Sequence, residues 1–239
     1  MNNKRILNTE TQFLSGPNSR GKELMFMIKA FYQFLRGFRK LHFIGPCVTV
    51  FGSARFDENN KYYLQAREVG RKLAEMGFAV MTGGGPGIME AANRGAFDVN
   101  GKSIGCTIKL PKEQVSNPYM NRVVDFDFFF VRKVLLTKYS YAFVVMPGGF
   151  GTLDELFETL TLIQTGIIHN FPVVIMGKSY YADIHEMIHL MIDNKTISPI
   201  DHELVIFTDD TDEAINHIRH FIHTNYKVER KPWWLLGEG

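Results

Sequence analysis

The chain has 239 residues, 45% of them hydrophobic and 13% aromatic, enough to bury the core of one large α/β domain. Its 27 basic and 25 acidic side chains leave a formal charge of +2, without the excess that a nucleic-acid or membrane-surface partner selects. The polar start MNNKRILNTETQF lacks the apolar stretch of a signal peptide, and no apolar run approaches the ~18 residues that span a bilayer, so a cytoplasmic location is expected.

Residues 1–17 read as a loose arm closed by Ser15-Gly16-Pro17. A helix is expected from about Arg20 to Lys40, because Leu24, Ile28, Phe31, Leu35 and Phe38 recur at four- and three-residue steps. That stripe is expected to pack on the chain's own domain or on a second subunit. Lys22, Lys29, Arg36 and Lys40 fall on its other faces, and Gly45-Pro46 ends the segment.

From Cys47 the pattern becomes strand, Gly-rich turn, helix, repeated. CVTVFGS at 47–53 enters a first turn, and a helix over 61–76 is expected to bury Leu64, Val69, Leu73 and Met76. FAVMTGGG at 78–85 and a helix over 87–97 follow, then strands at 103–110 and 122–129. A helix over 131–140 leads into YAFVVMPGG at 141–149. Helix 152–166, strand 171–176, helix 180–193, strand 204–207 and helix 211–224 complete the series. Continuous apolar strands alternating with helices predict an α/β, Rossmann-like, doubly wound parallel sheet with helices on both faces and an added N-terminal helix. The expected divisions are 1–45 for the arm and amphipathic helix, 46–225 for the Rossmann-like domain, and 226–239 for an apolar tail. Cys47 and Cys106 sit inside strand-like runs and read as buried, reduced thiols.

Ligands of such sheets bind beyond the carboxyl ends of the strands. Three turns fall there: Gly52-Ser53-Ala54-Arg55, Gly83-Gly84-Gly85-Pro86-Gly87 and Pro147-Gly148-Gly149-Phe150-Gly151-Thr152. Glycines let backbone amides approach an anion, and the following helix points its unpaired N–H groups at it. One such turn is an ordinary tight connection; three together favour phosphate binding. None is a dinucleotide G-x-G-x-x-G or a Walker G-x-x-x-x-G-K-[ST], which disfavours an NAD enzyme or a P-loop ATPase. Thr152 is expected to cap its helix and donate to a phosphate oxygen. Glu155 follows at capping-box spacing, one turn further along and close to any ribose held there. Asp154 is expected to be solvated. Arg132-Lys133 lies near the mouth of the same cleft, and arginine suits a bidentate grip on phosphate.

Pro147-Gly148-Gly149-Phe150-Gly151-Thr152-Leu153-Asp154-Glu155 fits the pattern PGGxGTxxE, and Arg132-Lys133 stands upstream at the matching distance. On these residues, with Gly83 to Glu90 and Val48 to Ser53, the chain resembles the LOG family over roughly residues 46–225. These are cytokinin riboside 5′-monophosphate phosphoribohydrolases, many once labelled lysine decarboxylases. The resemblance implies hydrolysis of the N-glycosidic bond of a purine nucleoside 5′-monophosphate, giving free base and ribose 5-phosphate. It implies Arg132 and Glu155 as the catalytic pair, with Gly148, Gly149, Gly151 and Thr152 on the phosphate. Ser53, Gly84, Gly85, Met89, Glu90 and Lys133 are the further substrate-binding residues it implies, with Glu90 on ribose hydroxyls. No cofactor and no metal is expected, and the nucleoside monophosphate and a second copy of the chain are the expected partners. Short plant-type members read Gly-Gly-Gly-x-x-Gly-x-Met-Gly in the second turn and Glu before Arg-Lys. This chain is one residue shorter there, ends that motif on Glu90 and carries Val131, which suits a longer subgroup and leaves the base open.

His185-Glu186-Met187-Ile188-His189 has the form H-E-x-x-H, but it falls on a sheet-covering helix and reads as chance surface histidines. His217, His220 and His223 read as solvated. No lysine is marked for a pyridoxal Schiff base. A non-catalytic nucleotide or cofactor carrier of Rossmann-like fold is the alternative reading.

Overall fold

The computed structural model describes residues 9–109, 115–169, 171–199 and 205–225. In chain order these form α1 (Thr9–Leu14), α2 (Arg20–Leu41), β1 (Cys47–Phe51), α3 (Lys61–Glu75), β2 (Ala79–Thr82), α4 (Ile88–Asp98), β3 (Ser103–Ile108) and β4 (Arg122–Phe126). There follow α5 (Phe129–Tyr139), β5 (Ser140–Val145), α6 (Phe150–Gln164), β6 (Val173–Met176), α7 (Ala182–Asp193), β7 (Val205–Thr208) and α8 (Thr211–Asn225). The tail at 226–239 lies outside the described residues.

The strands make one seven-stranded sheet in the order β4-β3-β2-β1-β5-β6-β7, parallel at every pairing. It is the doubly wound Rossmann-like sheet that the alternating pattern predicts. Strand residues alternate between two cores. Cys47, Met81, Cys106, Phe143, Val145 and Ile175 face α2, α5, α6 and α7. Val48, Val50, Val80, Val144 and Val174 face α3, α4 and α8. Both thiols are free and buried, and burial raises the pKa of each. The chain order reverses between β1 and β5, so the turns after those two strands flank the topological switch point.

Two local expectations fail and a third, the α2 stripe, loses the half that placed it on the chain's own domain, each for a tertiary reason. Residues 9–14 are a helix and not a loose arm. Phe13 stacks on Phe26 of α2 with ring centroids 3.8 Å apart, and the Glu10 carboxylate accepts from the Phe129 amide that opens α5. The face of α2 that packs inward carries Ala30, Gln33, Gly37 and Leu41, with Phe26, Phe34 and Phe38 half-buried beside them. Leu24, Ile28, Phe31 and Leu35 of the expected stripe are instead exposed. Small residues decide the crossing: a Cβ on Gly37 would overlap Leu135, so the helices approach closely there. Gln33 locks the contact, donating to Asp127 at 2.6 Å and accepting from its amide at 3.0 Å. In α3, Tyr63 is buried in place of Leu64, which is exposed.

Candidate active site

The three turns are hydrogen-bonded into one unit, with Ser53 at its centre. Its amide donates to the Pro147 carbonyl at 2.9 Å, and its carbonyl accepts from the Ile88 amide at 2.9 Å. Met146 also donates to the Phe51 carbonyl at 2.8 Å. Backbone alone therefore joins the turns after β1, β2 and β5. Gly87 has φ +69°, and a Cβ there would strike the backbone of Ser53 and Ala54, so only glycine allows this closeness.

The β5 turn feeds α6, whose N-cap is Gly149 and not Thr152. The cap lies three residues earlier than the capping pattern predicts, at an extended Gly149 with no side-chain cap. The first bonds of the helix run from the Thr152 and Leu153 amides to the Gly149 carbonyl, so the amides of Phe150 and Gly151 are the donors left for an anion beyond the strand ends. Thr152 is buried within that first turn, and a Cβ on Gly148 would overlap its Oγ1. Gly149 and Gly151 differ: a Cβ on either meets nothing within 4 Å. The fold itself leaves room for side chains at both positions, so their absence fits the approach of a ligand. The Tyr180 hydroxyl donates to the Gly148 carbonyl at 2.9 Å, and that of Tyr181 to the Met146 carbonyl at 2.8 Å.

The glycines of the β2 turn divide by role. Gly84 and Gly85 are buried, and their carbonyls accept from the Asn117 amide and Nδ2, each at 3.0 Å. A Cβ on Gly84 would strike Thr107, so its bareness serves packing on β3. Gly83 faces the cleft: a Cβ there would lie 2.8 Å from Met89 Sδ and 3.5 Å from an Arg132 Nη. A buried network of Thr82, Asn93, Ser103 and Asn117 supports this turn from below, with bonds of 2.6 to 3.1 Å. Glu90 accepts from Tyr63 at 2.9 Å at the start of α4.

Arg132 reaches from α5 toward both turns. Its Nη2 stands 3.9 Å from Glu155 Oε1, with the two side chains 15% and 4% exposed. Arg132 Nε, Glu155 Oε2 and, one turn on, Glu158 Oε2 are buried with no hydrogen-bond partner among the described residues. Each unsatisfied polar atom costs about 1–3 kcal/mol, so the pair is held for something other than stability. Burial pushes Glu155 up to about 7, against the opposing pull of Arg132 and Lys133. Burial likewise lowers Arg132, partly offset by Glu155. Lys133 turns the other way, onto Asp154 at 2.9 Å and Glu158 at 2.8 Å, so Asp154 is ion-paired and not merely solvated. The site thus brings together Ser53, Gly83, Met89, Arg132, Gly148, Gly149, Gly151, Thr152 and Glu155. It packs Gly84 against Thr82 and Thr107, gives the Gly85 carbonyl to Asn117, and turns the Lys133 ammonium to Asp154 and Glu158. Tyr180 and Asn117 carry no sequence motif; only the fold brings them to the turns.

The family described as possible lysine decarboxylase matches residues 89–218, more than half of the chain. The chain belongs to this family. Its curated relatives carry the LOG name. The cytokinin riboside 5′-monophosphate phosphoribohydrolase LOG1 of Arabidopsis thaliana is 27% identical over 195 residues, covering 80% of this chain and 91% of its own. The LOG protein of Oryza sativa subsp. japonica is 33% identical over 150 residues, covering 62% of this chain and 60% of its own. Among solved structures, the Moco carrier protein of Chlamydomonas reinhardtii matches with TM-score 0.54 at 23% identity, covering 75% of this chain and 98% of its own. The molybdenum cofactor binding protein of Rippkaea orientalis matches with TM-score 0.54 at 20% identity, covering 74% and 97%. These two share the fold.

The remaining sequence features stay outside the site. His185 and His189 on α7 stack edge to face at 4.6 Å, and His185 lies equally against Phe207. No group of three or more metal-ligating side chains is assembled among the described residues. His217 is half-buried, and burial lowers its pKa, so it is less solvated than its spacing suggests. No helix among the described residues is long and apolar enough to cross a membrane.

Proposed function

We propose that the chain hydrolyses the N-glycosidic bond of purine nucleoside 5′-monophosphates, releasing the base and ribose 5-phosphate. The observation that carries this reading is the buried Arg132–Glu155 pair, too far apart to saturate itself and set beside the phosphate-ready turn of α6. The phosphate sits on the amides of Phe150 and Gly151 beside the bare Gly149, where it is stabilised by the helix start, the Thr152 amide being already given to the Gly149 carbonyl. Glu155, one turn further on, faces the ribose. Breaking the bond builds positive charge on the sugar, which an ionised carboxylate in a dry site stabilises while it orients the attacking water. Arg132 holds the substrate in line, and the phosphate grip supplies remote binding energy for that alignment. Met89 and Glu90 line the ribose side. The names of the curated relatives support this activity.

A decarboxylase would need a lysine amine free to form a Schiff base. Lys133, the lysine of the site, is held as an ammonium by Glu158 and Asp154, which outweigh its burial. The carrier reading is supported by the solved neighbours, which are named as a Moco carrier protein and a molybdenum cofactor binding protein. Incubation of the protein with AMP and with N6-isopentenyl-AMP, followed by chromatography of free base, separates the two. Base release from either supports hydrolysis; tight binding without release makes the protein a carrier.

We also propose a homodimer through α2. Leu24, Met27, Ile28, Phe31 and Leu35 are between 44% and 65% exposed, a stripe of apolar surface that a second copy would cover.

A further inference from the structure

We infer that Lys133 is a positioning residue for Glu155 and not a ligand of the substrate phosphate: it clamps Asp154 and Glu158, which flank Glu155 on α6, and so fixes the carboxylate opposite Arg132. This rests on the hydrolytic reading above. The clamp is geometric. Asp154 and Glu158 are four residues apart and stack on one ridge of α6, with Glu155 on the adjoining ridge. The Lys133 Nζ hydrogen-bonds Asp154 at 2.9 Å and lies 2.8 Å from Glu158 Oε2 as an ion pair, and its side chain is only 17% exposed. Arg132, the preceding residue on α5, faces Glu155. Consecutive residues of α5 thus divide the acidic cluster, the arginine taking the middle carboxylate and the lysine the outer two.

Three carboxylates within five residues repel one another, and a buried one suffers most. Around Glu155, Arg132 and Lys133 pull its pKa down, while Glu158 and Asp154 push it up on top of the effect of burial. These four are the charged groups that bear on it from α5 and α6. Without Lys133 the outer carboxylates act unopposed, so Glu155 holds its proton to higher pH and less of it is ionised at neutrality.

The test compares wild type with Lys133→Met and Lys133→Arg. It reads the pH profile of base release from AMP, the KM for AMP, the affinity for ribose 5-phosphate, and the titration of the Glu155 carboxyl by 13C NMR, assigned with Glu155→Gln. For Lys133→Met the expected results are a Glu155 midpoint and an acid limb moved up by about one unit, with KM and ribose 5-phosphate affinity within about threefold of wild type. Lys133→Arg should restore the wild-type profile. A tenfold or greater loss of ribose 5-phosphate affinity with the midpoint unmoved overturns the inference and places Lys133 on the phosphate. Should Lys133→Met not fold, Asp154→Asn/Glu158→Gln with Lys133 kept must lower the Glu155 midpoint; an unchanged midpoint is equally fatal. Absence of base release by wild type would refute the hydrolase reading, while the NMR midpoints would still decide the role of Lys133.

Discussion

Arg132 Nη2 and Glu155 Oε1 face one another at 3.9 Å, beyond hydrogen-bond distance, with both side chains withdrawn from solvent. A charged pair so placed attracts without neutralising itself, and the burial of Glu155 ties its ionisation to folding. On the hydrolytic reading the reactive form of Glu155 is the carboxylate, so kcat/KM should climb with pH through about 7. Arg132→Met removes the attraction that favours ionisation. It should move that limb to higher pH and lower kcat by about 10²-fold or more, measured as base release from pH 5 to 9.

The same carboxyl leaves a mark on folding. Burial raises it to about 7 in the folded chain from an ordinary 4.5. Between those values the folded chain keeps a proton that the unfolded chain has released, so the contribution of Glu155 to stability falls as pH rises and levels off above 7. Glu155→Gln should therefore match wild type near pH 4 and exceed it by on the order of 3 kcal/mol at pH 8, while turnover is lost. Urea unfolding at both pH values reads the difference.

The glycines of the α6 turn should separate by substitution. Gly148→Ala pushes against Thr152 Oγ1, and should cost about 1–3 kcal/mol of stability together with ligand affinity. Gly149→Ala and Gly151→Ala meet open space, so their melting temperatures should stay near wild type while AMP affinity drops tenfold or more. Equal melting losses for all three would show that the bare turn serves folding alone.

Tyr180 lies far along the chain from the turn it supports. Tyr180→Phe deletes the bond to the Gly148 carbonyl and should raise KM for AMP several-fold, with a stability loss of about 1 kcal/mol. Steady-state kinetics beside thermal unfolding check this.

The stripe on α2 predicts a concentration-dependent assembly. Phe31, 65% exposed, contributes nothing to its own fold's core, so Phe31→Asp should leave the fold intact and shift the light-scattering mass toward that of one chain. An unchanged mass would move the interface elsewhere.

What the sequence reveals here depends on how local each cause is. The strands announce themselves because every residue from Val48 to Phe51 is buried, which requires an unbroken apolar run. Arg132 and Glu155 were visible through the motif that surrounds Gly148. By contrast, the inward face of α2 follows from Gly37 and Gln33, whose value lies wholly in Leu135 and Asp127 about a hundred residues away. Helical period alone selects the more apolar stripe, which is the exposed one. The helix at Thr9–Leu14 depends likewise on Phe26 and Phe129. The orientation of Lys133 was hidden because a basic residue beside a phosphate turn has two available partners, and only α6 shows which it takes.

The bond from the Ser53 amide to the Pro147 carbonyl joins the two sides of the sheet where the chain order reverses. Joined by backbone bonds at that point, the two turns are held in register by the fold itself. Turns so fixed cannot distinguish a phosphate still attached to a nucleoside from one on a bare sugar. On the hydrolytic reading, substrate and cleaved sugar phosphate present the same phosphate to the α6 turn, so ribose 5-phosphate should compete with AMP and base release should slow as product accumulates.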